Sequence, residues 1–360
     1  MINFASCSYL GLETDPRLKA GAIAATERYG TQFSASRAFV AAPPYAEVED
    51  ALRRITGRPT LLAPSTSLAH QAVLPVLVDR DDLVLVDRQS HASVQITTEI
   101  LSARGARVQT VPHNDVAAIE RKLSQAPDGT RVWLLIDGIY SMFGDMAPFD
   151  ALDDLLARFS GLHLYVDDAH ATGWMGRHGR GAALERWPDH PRVIVALSLN
   201  KCFACAGGAL ALADDAQAQR VRYQGAALMF SGPVQPPMLG AIGASAALHL
   251  SRDLAGLQSE LMARIRHFNR QAARAGLTVM SEAETPMRYI RIGDTTQTIR
   301  AGMALQQAGF FVSTVGHPAV PHRDTGVRLS LTRHHRMADI DAVIGALAAH
   351  MGESQATAAQ

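Results

Sequence analysis

The sequence predicts an α/β protein: a mostly parallel central sheet flanked by helices, followed by a smaller α+β domain. Three observations carry this prediction. Short apolar runs recur over residues 83–212, helix-length amphipathic stretches separate them, and the rhythm stops at SGPVQPP (231–237), too rich in proline for either regular element. The runs are LVLV (83–86), VQTV (108–111), VWLLI (132–136), LHLYV (162–166), VIVAL (193–197) and ALAL (209–212). Most do not alternate, as expected of strands buried on both faces. Residues 115–125 and 150–159 have helical apolar spacing, and alternating β and α elements imply parallel strands covered on both sides.

Beyond the prolines the pattern predicts one long helix over 238–275, strand-like runs at 277–280, 289–292, 310–313 and 327–331, and a closing helix over 337–351. The chain thus divides into an N-terminal segment (1–40), a large domain (41–235), a small domain (236–352) and a small polar tail (353–360) expected to fray. With 34 Lys plus Arg against 34 Asp plus Glu, no bulk charge is available to grip nucleic acid or anionic lipid. Hydrophobic residues at 48% and charged residues at 19% fit a protein with a sizeable core. Three cysteines make no disulfide framework, the N-terminus has no basic and apolar secretory signal, and no window approaches the roughly 20 apolar residues of a membrane helix. The expectation is a cytoplasmic, enzyme-sized protein without nucleic-acid or membrane partners.

In an open parallel sheet ligands bind beyond the carboxyl ends of the strands, so chemistry belongs immediately after the apolar runs. There the sequence places Asp167-Asp-Ala-His170, Ser198-Leu-Asn-Lys201, Asp87-Arg-Gln-Ser-His-Ala-Ser93 and Asp137-Gly-Ile-Tyr-Ser141. Lys201, among Cys202, Phe203 and Ala204, reads either as a surface lysine or as a partly desolvated amine, and desolvation makes an amine a nucleophile toward carbonyls. Asp167 suits the nitrogen of a pyridinium ring; Asp167 and Asp168 also suit capping of a following turn, a role that falls more naturally to Asp168. His170 reads as a catalytic or a core histidine, and His91 as a ring-stacking or a turn histidine. Ser65-Thr-Ser67 offers hydroxyls and N–H groups to a phosphate, or simply starts a helix. Histidine and cysteine spacings lack the frames of zinc sites, so no metal is expected; nucleophile-elbow, Walker and dinucleotide motifs are missing too.

The set of motifs resembles the α-oxoamine synthases, a family of fold-type I pyridoxal-phosphate enzymes. The resemblance runs nearly end to end: NFASCSYLGL (3–12), SRAF (36–39), DRQSHAS (87–93), HND (113–115), DGIYSMFGD (137–145), VDDAHATG (166–173), GRHGRG (176–181) and RLSLT (328–332). It implies that Lys201 forms the Schiff base with pyridoxal 5'-phosphate, Asp167 pairs with the ring nitrogen, and His91 stacks on the face opposite Ala169. His170 and Ser141 would bond the ring oxygen. Ser198, Ser65 and Thr66 would hold the phosphate, joined by Ser231 from a partner subunit in a homodimer with shared active sites. Arg328, with Cys7 and Tyr9, would hold the amino acid. The implied reaction condenses an amino acid with an acyl thioester, carried by coenzyme A or a carrier protein, with loss of carbon dioxide. An aminotransferase or β-hydroxy amino acid aldolase on the same fold, and a non-catalytic paralogue, are the alternatives.

The sequence departs from the family pattern in places. Cys7 stands where asparagine is usual, Ser65-Thr-Ser-Leu-Ala-His70 replaces the usual Ser-Gly-(Tyr/Phe)-Ala-Ala-Asn, and Gly232 takes a threonine's place. Relatives carry a leading helical segment near the acyl donor, and this sequence starts almost at the first motif. Cys7 and the missing leader lead to the expectation of a specialised biosynthetic pathway, such as natural-product or signal synthesis, over biotin or haem supply.

Overall fold

The computed structural model describes residues 1–40 and 42–358, with side chains described to residue 351. The chain forms two compact units. The larger holds Leu12–Tyr140 and Met146–Leu254; the smaller holds Met1–Gly11, Ser141–Asp145 and Ala255–Gln360.

The larger unit is built on a seven-stranded sheet in the order Thr60–Ala63, Gly208–Ala211, Val193–Ser198, Leu162–Asp167, Val132–Asp137, Leu83–Asp87, Arg107–Val111. All six apolar runs are strands. Five of them pair in parallel, while Gly208–Ala211 runs antiparallel to both of its neighbours. This exception, one strand in from the edge, follows from connection length: only a short loop separates Val193–Ser198 from Gly208–Ala211, which permits a hairpin but not a crossover.

Side-chain alternation splits the sheet's contacts into two cores. Leu134, Leu164, Val166 and Val195 pack on one face with Val48, Leu52, Leu152, Leu155 and Ile242. Leu135, Tyr165, Ile194 and Ala196 pack on the other with Ala69, Val73, Val94 and Leu101. The second face lies under helices Thr66–Leu77 and Ala92–Ala103. Their N-termini are set by Ser65, whose hydroxyl accepts from Leu68 N, and by His91, whose ring accepts from Ser93 N.

The expected long helix over 238–275 is two helices, Pro236–His249 and Asp253–Arg274. Ser251 makes the break. Its hydroxyl donates to Leu248 O, closing one helix, and accepts from Asp253 N, opening the next. In the smaller unit Met287–Arg291, Gly326–Ser330 and Ser313–Val315 form an antiparallel sheet with Gly326–Ser330 in the middle. Residues 277–280 form no strand; Val279 makes only an isolated bridge to Ile290. Ile2–Asn3 pairs in parallel with Phe310–Phe311, which ties the start of the chain into this unit. The last helix, Met337–Ala358, runs through most of the stretch expected to fray; residues 359–360 of that stretch lie outside the described residues.

Candidate active site

The residues expected at the site fall in both units. In the larger one, three adjacent parallel strands end on acidic or basic groups. Asp167 closes Leu162–Asp167, Asp137 closes Val132–Asp137, and Lys201 sits in the turn after Val193–Ser198. That turn is tightly held. Ser198 Oγ accepts from Asn200 N at 3.3 Å, Asn200 Oδ1 accepts from Gly207 N at 2.6 Å, and Lys201 O accepts from Ala204 N at 3.0 Å.

Asp167 is buried, and one carboxylate oxygen accepts from Ala169 N at 3.1 Å. The other lies 3.1 Å from His70 Nε2, off the line of the ring N–H. His70 is fully buried, and its Nδ1 meets the Tyr165 hydroxyl at 2.6 Å. Burial by itself would raise the Asp167 carboxyl, but His70, Lys201 and His91 outweigh it and bring the pKa down to about 2. The neighbours behave oppositely: Asp137 is raised well above the usual carboxylate range by burial and by the charge on Asp167. Lys201 is close enough for its charge to favour ionisation of both.

Asp168 points to the other side of the strand, as the two-residue period requires. Its carboxylate accepts from Ala183 N at 3.0 Å and so caps the short helix Ala182–Arg186, well beyond the turn expected; the turn beside Asp167 is capped by Asp167 itself. Burial, then the charge on Asp167, pushes Asp168 up to about 7.

His91 is exposed, yet the protein packed around its ring pushes its pKa down; Lys201 and His70 add to the fall and Asp167 opposes it. Its Nδ1 lies 2.7 Å from Ser93 Oγ, so the turn reading holds alongside any contact with a ring. Ala169 and His170 are buried just beyond Asp167, with His170 O accepting from Trp174 Nε1 at 2.7 Å. Ser231 donates back to Ala227 O within its own chain.

At the start of Thr66–Leu77 the Thr66 hydroxyl is buried without a hydrogen-bond partner. A buried unpaired donor at a helix N-terminus is a demand for an acceptor, and a phosphate meets it. Gly208 closes the same turn: a Cβ there would stand 2.6 Å from Thr66 N. The donor set therefore fits pyridoxal phosphate. It offers an anion cradle at Thr66, a carboxylate held ionised at Asp167 for a cationic ring nitrogen, and an amine at Lys201.

In the smaller unit Arg328 lies on the central strand, buried, with Nε donating to Ser141 O at 2.6 Å. Its Nη2 is 3.7 Å from Cys7 Sγ, and Ser330 Oγ, two residues along the strand on the same face, is 4.0 Å from that sulfur. Ser141 thus sits with Arg328. Tyr9 is elsewhere than expected: it is fully buried with its hydroxyl on Met287 Sδ at 2.9 Å, a core residue and not a surface offered to substrate.

Reasoning from sequence missed His70 and Tyr165. Both carried a signal. Tyr165 is two residues before Asp167 and must share its face, and His70 replaces the family's asparagine one helical turn after Thr66.

The fold and this donor set define a fold-type I pyridoxal-phosphate transferase. The family model for aminotransferase class I and II matches residues 1–347. An 8-amino-7-oxononanoate synthase from Pseudomonas putida (strain W619) is 34% identical over 353 residues, 97% of this chain and 87% of the relative. One from Dechloromonas aromatica (strain RCB) is 32% identical over 351 residues, 96% and 89% of the two chains. Among solved structures, a serine palmitoyltransferase from S. paucimobilis with bound PLP–myriocin superposes with a TM-score of 0.91 at 22% identity, covering 99% of this chain and 88% of that one. An 8-amino-7-oxononanoate synthase from Francisella tularensis gives a TM-score of 0.80 at 21% identity, with 99% of each chain covered. The chain belongs to the aminotransferase class I and II family and, within it, to the α-oxoamine synthases. It is a pyridoxal-phosphate-dependent acyltransferase that condenses an amino acid with an acyl thioester and releases carbon dioxide.

Proposed function

We propose that this reaction is carried by Lys201, Asp167, His91 and His170 around the cofactor and by Arg328 with Cys7 around the amino acid. The observation behind the assignment is a buried carboxylate, Asp167, held ionised at the strand end next to the one that delivers Lys201. When bound, pyridoxal phosphate supplies the electron sink that acidifies the Cα–H of the amino acid. Asp167 would hold the ring nitrogen and His91 would pack on the ring. Thr66 Oγ1, Ser65, Ser198 and the N–H groups opening Thr66–Leu77 would hold the phosphate. The Lys201 amine would hold the cofactor's carbonyl carbon at rest and, when free, would take the Cα proton and return it after carbon dioxide leaves. Arg328 grips the substrate carboxylate with the N–H groups that Ser141 O does not occupy, since a guanidinium offers parallel donors in a fixed fork.

The active form on this reading is a cytoplasmic homodimer. Its support is the exposed aromatic surface of Phe39 (86%), Phe230 (80%) and Tyr223 (71%) on the larger unit, apolar area of the kind an interface covers. No helix among the described residues is long and apolar enough to cross a membrane.

The test is spectroscopic and chemical. Purified protein given pyridoxal phosphate acquires a visible absorbance band that Lys201→Ala abolishes. Mixing amino acids with acyl thioesters then releases free thiol and carbon dioxide in equal amounts. Amino-group transfer without thiol release would point to an aminotransferase instead.

A second reading, that the chain makes 8-amino-7-oxononanoate itself, rests on the 34% identity to synthases so named. Cys7 and His70, both departures from the family pattern, favour a specialised product. On that basis the gene fails to restore growth of a strain lacking 8-amino-7-oxononanoate synthase.

A further inference from the structure

Behind Asp167 lies a chain of buried polar groups that the reaction does not name. Tyr165 and His70 are both 0% exposed and lie 2.6 Å apart, OH to Nδ1, with His70 Nε2 a further 3.1 Å from Asp167 Oδ2. Tyr165 reaches this line because it shares a strand face with Asp167. His70 reaches it from helix Thr66–Leu77, one turn after Thr66 and on the same helix face. One helix therefore presents a hydroxyl suited to the phosphate and an imidazole against the carboxylate suited to the ring nitrogen.

The arrangement restricts where protons sit. If Nε2 were bare, an electron-rich nitrogen would stand 3.1 Å from a buried carboxylate with no proton on either, and the two would repel even off the line of the ring N–H. Nε2 therefore carries a proton. In the neutral ring that leaves Nδ1 to accept from the Tyr165 hydroxyl, and burial raises that phenol well above its ordinary range, keeping the proton available. The other charged and titratable groups acting on Asp167 are Lys201, His91, its neighbour Asp168, and Asp137 at the next strand end.

We propose that His70 is a positioning residue for Asp167, steadied by Tyr165, which holds the carboxylate ionised and oriented for the cofactor's ring nitrogen. This rests on the assignment of Asp167 given above. It makes the His70 departure functional: the ring-nitrogen partner acquires a cationic or proton-donating neighbour built into the phosphate-binding helix.

The experiment compares His70→Leu, His70→Asn, Tyr165→Phe and Asp167→Asn with the parent. It reads the dissociation constant of pyridoxal phosphate from the cofactor-free protein, the pH midpoint of the bound cofactor's absorbance, and thermal unfolding of the cofactor-free protein. His70→Leu is expected to weaken cofactor binding roughly 10-fold, the scale of losing a polar neighbour 3.1 Å from a buried carboxylate, and to move the absorbance midpoint. His70→Asn keeps an N–H donor and recovers most of that loss; Tyr165→Phe moves both readouts in the same direction by less. The kcat falls with little change in KM for the amino acid. Unchanged affinity and midpoint in His70→Leu, with both moved in Asp167→Asn, would overturn the proposal. Both unmoved in Asp167→Asn would overturn the Asp167 assignment instead. Should His70→Leu not fold, ¹⁵N spectra of histidine-labelled cofactor-free parent, with His70 assigned by its loss in His70→Asn, decide: a proton on Nε2 supports the relay and a bare Nε2 overturns it.

Discussion

Arg328 donates through Nε to the backbone carbonyl of Ser141 at 2.6 Å, so the plane of the guanidinium is set by main chain and not by another charge. The remaining N–H groups keep a fixed direction. Lysine has one point charge and no fork, so Arg328→Lys is expected to behave nearly as badly as Arg328→Ala. Each should raise KM for the amino acid by roughly 100-fold, the loss of a paired charged hydrogen bond, with a smaller effect on kcat. Steady-state kinetics at saturating acyl thioester checks this; a lysine variant with parental KM would remove Arg328 from the substrate site.

Cys7 offers Arg328 a sulfur at 3.7 Å, a weak acceptor. Cys7→Asn supplies an amide oxygen to the guanidinium and an N–H₂ to a substrate carboxylate. The variant should lower KM for small amino acids by roughly 3- to 10-fold, one added hydrogen bond, and flatten discrimination among them. A panel of amino acids assayed with one acyl thioester measures the change.

Asp168 gives a stability slope of definite sign. Burial lifts its carboxyl from 3.8 to about 7, so between those values the folded chain holds a proton the unfolded chain has lost. Its contribution is complete below pH 3.8 and disappears as pH rises through 7, at up to about 1.4 kcal/mol per pH unit. His249, lowered to about 4 by burial, works the other way over an overlapping range, so the comparison must be between variants. Denaturant unfolding of Asp168→Asn from pH 5 to 7.5 should lose the falling component that the parent shows.

Gly208 is where the chain tolerates no side chain beside the turn at Ser65 and Thr66. A Cβ would stand 2.6 Å from Thr66 N and 2.7 Å from Thr66 Cα, both backbone atoms that cannot swing aside. Gly208→Ala should cost about 1–3 kcal/mol of stability and weaken pyridoxal-phosphate binding at least tenfold. Gly256→Ala, facing open space on helix Asp253–Arg274, is the control: it should leave cofactor binding unchanged and raise stability by about 0.5–1 kcal/mol, the helix propensity difference. Calorimetry and cofactor titration read the two effects.

The placement of Asp167, Lys201 and His91 at or just past strand ends was legible because apolar runs mark those ends. Each also had a structural reading there, and the contacts of His91 and Asp167 with Ser93 and Ala169 N show that such readings can hold at the same time. The antiparallel edge was less legible. Thr60–Ala63 has four residues, and its partner Gly208–Ala211 is remote, so no local pattern announces the pairing. Ser251 splits a continuous helical periodicity through one hydroxyl, a feature that periodicity averages away. Tyr9 was misplaced because the motif around it is recognisable while its burial depends on Met287, far along the chain. His70 was noticed as a departure, but its partner is visible only when helix and strand are set face to face.

The pairing of Ala63 with Gly208 also has a bearing on the order in which this protein is made. Ser65 and Thr66 follow the edge strand immediately, but that strand has no neighbour until the hairpin after Lys201 has been synthesised. Long-range pairing must wait for loop closure across the intervening strands. The turn at Ser65 and Thr66 therefore cannot be closed until Gly208 is available, at nearly the same point in synthesis as the Lys201 loop. Nascent chains halted before residue 208 should carry most of the larger unit's core and have no capacity to retain the cofactor.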